Sequence, residues 1–113
     1  MSPQRFLAIK DCGCVVARAA GLGWVYPEIH HLTLGGRHGQ KRRGDSFTVG
    51  LNPWSHRGVP FGGMAVDRCR ELFGPSYARE PRAFRALYPD EWLLAKQNEL
   101  ISEWQRNTMG AMA

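Results

Sequence analysis

Glu28-Ile29-His30-His31-Leu32 and, further along, Ser46-Phe47-Thr48-Val49-Gly50-Leu51-Asn52-Pro53-Trp54-Ser55-His56-Arg57-Gly58 are the stretches whose reading decides the fold. Trp24–Tyr26 and Ile29–Leu34 are rich in β-branched and aromatic residues and read as an irregular first strand. Ser46–Leu51 reads as a second short strand. Asn52 followed by Pro53 then opens a very short helix, because the amide can satisfy an orphan N–H and proline is preset for the first helical position. Gly58 stops that helix just after His56. Between the strands runs a polar, glycine-rich and strongly basic loop, Gly35-Gly36-Arg37-His38-Gly39-Gln40-Lys41-Arg42-Arg43-Gly44-Asp45. Strand, basic loop, strand and short helix make one supersecondary unit.

Working outward, Ser2-Pro3 is a good opening for a first helix that presents Phe6 and Ile9 to a core. Gly13 and Gly21-Leu22-Gly23 mark loops. Downstream of Pro60–Gly63 the pattern turns helical. Met64–Phe73 groups Ala65, Cys69, Leu72 and Phe73 and ends at Gly74; Pro81–Tyr88 uses Ala83, Phe84 and Leu87. Asp90 is expected to cap a last helix in which Leu93, Leu94, Leu100, Ile101 and Trp104 keep the helical period, with Gln97 interrupting the stripe and Met109–Ala113 as a frayed tail. Trp24, Trp54 and Phe61 are expected to supply packing. No repeat or interdomain linker is visible. The expectation is a single α+β domain over residues 1–113, with a strand–strand–helix core over about 24–58 and a helical part over about 64–106.

Composition narrows the partners. The 15 Lys and Arg against 10 Asp and Glu leave a formal charge of +5, which suits an anionic partner, nucleic acid being the commonest for a basic domain. No apolar run approaches the ~20 residues that span a bilayer, and Met1–Lys10 lacks the pattern of a signal peptide. Cys12, Cys14 and Cys69 are an odd set and a poor disulfide framework, so a reducing cytoplasm is the expected setting.

Three of the 4 histidines, His30, His31 and His56, fall at telling places in the central unit, while His38 lies in its basic loop. Neighbours in a regular strand point to opposite faces, so His30 and His31 need a bend or bulge at the strand end to share one cleft. His56 then reaches it from the short helix. Phosphodiester hydrolysis asks for such residues: a base to deprotonate water, and ligands for a cation that stabilises charge on phosphate and leaving oxygen. Histidine titrates near neutrality and also ligates metals. Arg37, His38, Lys41, Arg42, Arg43 and Arg57 bracket the site and are expected to contact phosphates, which position DNA without reading sequence.

Taken together, Glu28–Leu32, Gly35-Gly36-Arg37, Thr48–Leu51 and Pro53–Gly58 resemble the Ref recombination-enhancement nucleases, phage-encoded enzymes of the ββα-metal (HNH-like) class. Phe73-Gly74-Pro75-Ser76-Tyr77-Ala78 and Glu91–Leu100 are similar to the family's helical C-terminal part, so the resemblance covers about residues 12–101. It implies a small HNH-like core with an added N-terminal helix and C-terminal helices, and a metal-dependent DNA endonuclease acting in phage recombination or genome processing. It implies His31 as the general base, and His30 and His56 as metal ligands. Asp45 stands where the family usually has histidine and is expected as a third ligand, which favours Mg²⁺ or Mn²⁺ over Zn²⁺. DNA and a RecA-type filament are the implied partners, although the long basic N-terminal arm of better-known members has no counterpart at the start of this sequence. The structural zinc common in such proteins has lost its ligands: Cys14 remains, but Ala17, Asn52 and Ser55 occupy the other positions. Two rival readings stay open, a catalytically degenerate HNH-fold module for DNA binding or assembly, and a small protein structured by zinc on the three histidines.

Overall fold

The computed structural model describes residues 3–33 and 45–112, with side chains described for 4–33 and 46–108. Its elements, in chain order, are α1 (Pro3–Cys12), α2 (Val15–Ala19), β1 (Glu28–His31), β2 (Thr48–Leu51), α3 (Pro53–Arg57), α4 (Val66–Phe73), α5 (Pro81–Leu87) and α6 (Asp90–Met112), with a single 3₁₀ turn at Asp45–Phe47. Six helices thus surround a two-stranded antiparallel sheet among the described residues, an α+β arrangement.

The sheet holds the centre. β1 and β2 pair in unbroken register, from Glu28 opposite Leu51 to His31 opposite Thr48. One further rung lies beyond the strand, where the Leu32 N–H donates to the Phe47 carbonyl at 2.8 Å. Trp24–Tyr26, expected as part of the strand, stays outside the ladder, because the Val25 carbonyl accepts from the Cys14 N–H instead. The register contains no bulge, which corrects the expected distortion at the histidine pair. The 3₁₀ turn takes the residues expected at the start of β2.

Side chains from the flanking helices seal the outer edge of β2. In an antiparallel ladder alternate residues point their N–H and C=O away from the partner strand. The Gly50 N–H therefore faces outward and donates to Gln97 Oε1 of α6 at 2.8 Å. Arg5 of α1 donates from Nη2 to the Thr48 carbonyl at 2.6 Å and from Nε to Thr48 Oγ1 at 3.0 Å. Gly50 is glycine for space: a Cβ there would lie 2.8 Å from both Ile9 Cγ2 and Pro27 Cβ.

The core joins α1, α2, β2, α3 and α6 through Ile9, Val15, Val16, Val49, Leu51, Trp54 and Leu93, with Leu32 just after β1, all buried. The sequence gives no clear signal for α2, whose Val15-Val16-Ala17 reads poorly as helix; complete burial overrides propensity there. α4 begins at Val66 instead of Met64, since Gly62 and Gly63 adopt left-handed backbone angles and hold residues 61–64 in a turn. Asp90 is the first residue of α6 and not its cap: the Pro89 carbonyl accepts the Leu93 N–H. Gln97, the interruption in the apolar stripe, is fully buried within it. Trp24 is not a packing residue; it is 57 % exposed. No helix among the described residues is long and apolar enough to cross a membrane.

Candidate active site

α3 links the sheet to the site. Its start is fixed by Asn52, whose Oδ1 accepts from the Ser55 N–H at 2.7 Å, with Pro53 at the first helical position. Its end is fixed by Gly58 at φ +68°, a left-handed angle that places the Gly58 N–H on the Trp54 carbonyl at 2.8 Å. Arg79 closes over that turn, donating from Nε to the Gly58 carbonyl at 2.9 Å. Because α3 follows β2 without a linker, His56 is carried back across the sheet toward β1.

An open cleft of about 480 Å³ lies there, walled by Ile29, His30, His31, Thr33, His56, Arg57, Tyr77 and Ala78. Consecutive residues of β1 line it, so it runs along the strand's outer edge and both imidazoles reach it without a bulge. The His30 ring packs against two neighbours, His56 at 5.0 Å between centroids in an edge-to-face arrangement and Tyr77 at 5.1 Å. Tyr77 is set by its N–H on the Ser55 carbonyl at 2.8 Å, and its hydroxyl accepts from Arg85 Nη2 at 2.9 Å.

Glu28 is the residue that sequence reasoning missed. Its Oε1 lies 3.0 Å from His56 Nδ1, while Arg57 grips both carboxylate oxygens, with Nη2 at 2.6 Å from Oε2. These hydrogen bonds from Arg57, followed by that from His56, hold the Glu28 carboxyl below the usual carboxylate range. An ionised carboxylate can only accept, so His56 Nδ1 carries the proton and Nε2 is the nitrogen left to face a ligand. The signal was present in the motif, two residues before His30, but its partners are 28 and 29 residues away. Arg57, expected to contact phosphate, is largely committed to Glu28, although its side chain is still 55 % exposed.

The structure thus brings together His30, His31, His56 and Arg57. The expected DNA-contacting Arg37, Lys41, Arg42 and Arg43, with His38, lie outside the described residues, as does the Asp45 side chain; the Asp45 backbone opens the 3₁₀ turn before β2. Among the described residues, no three His, Cys, Asp or Glu side chains gather as a metal-binding group. The positions of the lost zinc site do converge in part: Asn52 Nδ2 donates to Cys14 Sγ at 3.3 Å, and Cys14, Ala17, Asn52 and Ser55 are all fully buried. One thiol with an amide, a hydroxyl and a methyl does not fit a tetrahedral zinc. Burial also pushes the Cys14 thiol up, so it stays protonated.

The family model described as "Recombination enhancement, RecA-dependent nuclease" matches residues 2–102. No curated protein and no solved structure matches the chain. With nearly the whole sequence covered, the chain belongs to the family of RecA-dependent nucleases that act in recombination enhancement.

Proposed function

We propose that this family member is a metal-dependent DNA endonuclease of the HNH (ββα-metal) class, with residues 1–113 acting as one nuclease domain. The observation that carries the reading is the convergence of His30, His31 and His56 on one cleft, with His56 oriented by an ionised Glu28. Order supports it too: β1, β2 and α3 follow the strand–strand–helix succession of that class.

In this reading His31, at the end of β1, takes a proton from the attacking water. His30 and His56, the latter through Nε2, hold a divalent ion, with Asp45 as third ligand. The His30 and His56 rings, edge to face with centroids 5.0 Å apart, are near enough that both could hold one ion. When bound, the ion supplies Lewis-acid stabilisation of charge on the phosphate and leaving oxygen. Glu28 keeps the Nδ1–H tautomer and the ring orientation of His56, as carboxylates do behind metal-ligating histidines. Tyr77 and Ala78 also line the cleft, and Arg85, held on the Tyr77 hydroxyl and over its ring, adds positive charge beside Tyr77. Arg37, Lys41, Arg42 and Arg43 supply phosphate contacts, and the RecA filament in the family's description supplies the DNA context.

The test is incubation with supercoiled and single-stranded DNA, naked and RecA-coated, with Mg²⁺, Mn²⁺ or chelator. Cleavage that requires the metal and falls about 10²- to 10⁴-fold in His31→Ala, with DNA binding retained, is the expected outcome. Clean DNA binding without cleavage under every condition overturns the enzyme reading in favour of the degenerate module.

A further inference from the structure

We propose that Trp24 and Tyr26 form a base-stacking subsite, on the segment that leads into the cleft strand β1, that takes unpaired bases of a DNA strand. Its placement beside a scissile phosphate rests on the nuclease reading above.

Exposure alternates along the segment that leads into β1. Trp24 is 57 % and Tyr26 55 % exposed, whereas Val25 packs against the core and Pro27 is buried. The same parity continues through Glu28 and His30, the residues that meet His56. Two outward aromatics, two residues apart, therefore stand on the segment that leads into β1. The Tyr26 hydroxyl is close enough to Arg57, a residue of the cleft wall, to act on its charge.

Trp24 is positioned and not merely exposed. Its Nε1–H donates to the Lys10 carbonyl at 2.8 Å, which satisfies its only polar atom. Its ring lies against the chain at Gly13, where a Cβ would come within 2.8 Å of Trp24 Cδ1. The indole is thus held by main chain at its Nε1–Cδ1 edge while more than half of it stays exposed. A ring fixed in that way loses little freedom when a flat partner stacks on it.

The chemistry selects the occupant. Duplex bases hide their faces against each other, so only unpaired bases offer a π-face to a side chain. Isolated exposed aromatics are ordinary; two in register beside a cleft, on a chain of net charge +5, match the aromatic-plus-cationic pattern of single-strand binding.

The experiment measures anisotropy of a labelled short thymidine oligonucleotide, and of an abasic oligonucleotide with the same number of phosphates, in chelator. Wild type, Trp24→Ala, Trp24→Phe and Tyr26→Ala are compared, with thermal melts to verify folding. Wild type should prefer the base-bearing strand, each alanine variant should lose roughly 5- to 150-fold on it alone, and Trp24→Phe should keep most of the preference. Equal binding of the two oligonucleotides by wild type, or unchanged binding by folded alanine variants, overturns the proposal. So does unchanged oligonucleotide binding with loss of RecA-stimulated cleavage, which would assign the surface to the protein filament. Because the chelator assay needs no cleavage, failure of the nuclease reading would leave this result standing.

Discussion

α3 is only 5 residues long, yet its two ends are opposite in character. At its start, Asn52 and Ser55 are fully buried and held by neutral groups, an amide against a thiol and a cap on a backbone N–H. At its end, His56 and Arg57 are part-exposed and held by an ionised carboxylate. Burying a charge costs far more than burying a paired neutral group, so the end that fixes the helix in the core uses groups that stay neutral. The end that meets solvent can carry ions cheaply, and those ions set the tautomer of the one histidine the helix contributes. Position and chemistry are thus supplied by different ends of one short element.

Trp54 stands between the two ends and gives the largest way to break this picture. It is fully buried, its Nε1–H donates to the Gly74 carbonyl at 2.8 Å, and the guanidinium groups of Arg79 and Arg70 lie 5.1 and 5.3 Å from its ring. Trp54→Ala should cost about 3–5 kcal/mol, read as a lower midpoint in denaturant unfolding. A loss within about 0.5 kcal/mol, the usual range for surface changes, would mean that α3 is not clamped from below. Glu28→Gln sharpens the other half. It keeps shape but removes the ion that orients His56, so Mn²⁺ affinity by calorimetry should fall about 10- to 100-fold, the usual effect of losing such a partner. The melting temperature should barely move, because Arg57 is largely solvated. A large drop in melting temperature with metal affinity intact would make Glu28 a structural residue.

What was legible in the sequence follows the range of the interactions. Asn52-Pro53 and Gly58 bound α3 as expected, because a cap and a left-handed stop are local devices. The two strands were legible as runs rich in β-branched and aromatic residues, which is also local information. Glu28 was not read as functional, since its partners become neighbours only after the strands pair and α3 folds back. Gln97 looked like a flaw in an apolar stripe; its partner is the outward N–H of Gly50, 47 residues away, and no helical period announces that. Trp24 looked like core because it is large and apolar, and only the alternation set by Val25 and Pro27 turns it outward. The histidine trio was found because its residue types are rare and chemically suggestive, yet the expected bulge was unnecessary once the cleft proved to follow a strand edge.

The smallest effect tests the neutral end directly. Burial holds the Cys14 thiol above its ordinary range, so the folded protein keeps this proton to higher pH than the unfolded chain does. Between the unfolded value, about 8.5, and the raised folded value, the unfolded state binds fewer protons, and stability must fall as pH rises. The contribution is fully present below that range and lost as pH climbs through the folded value, with a slope of at most about 1.4 kcal/mol per pH unit. Cys12 and Tyr88 are also raised by burial and act in the same direction. Cys14→Ala should therefore flatten the alkaline decline without abolishing it, as measured by urea unfolding across the alkaline range. Equal slopes in the two proteins would mean that the Cys14 thiol ionises as readily folded as unfolded, and the contrast between a neutral and an ionic end of α3 would fail at its buried side.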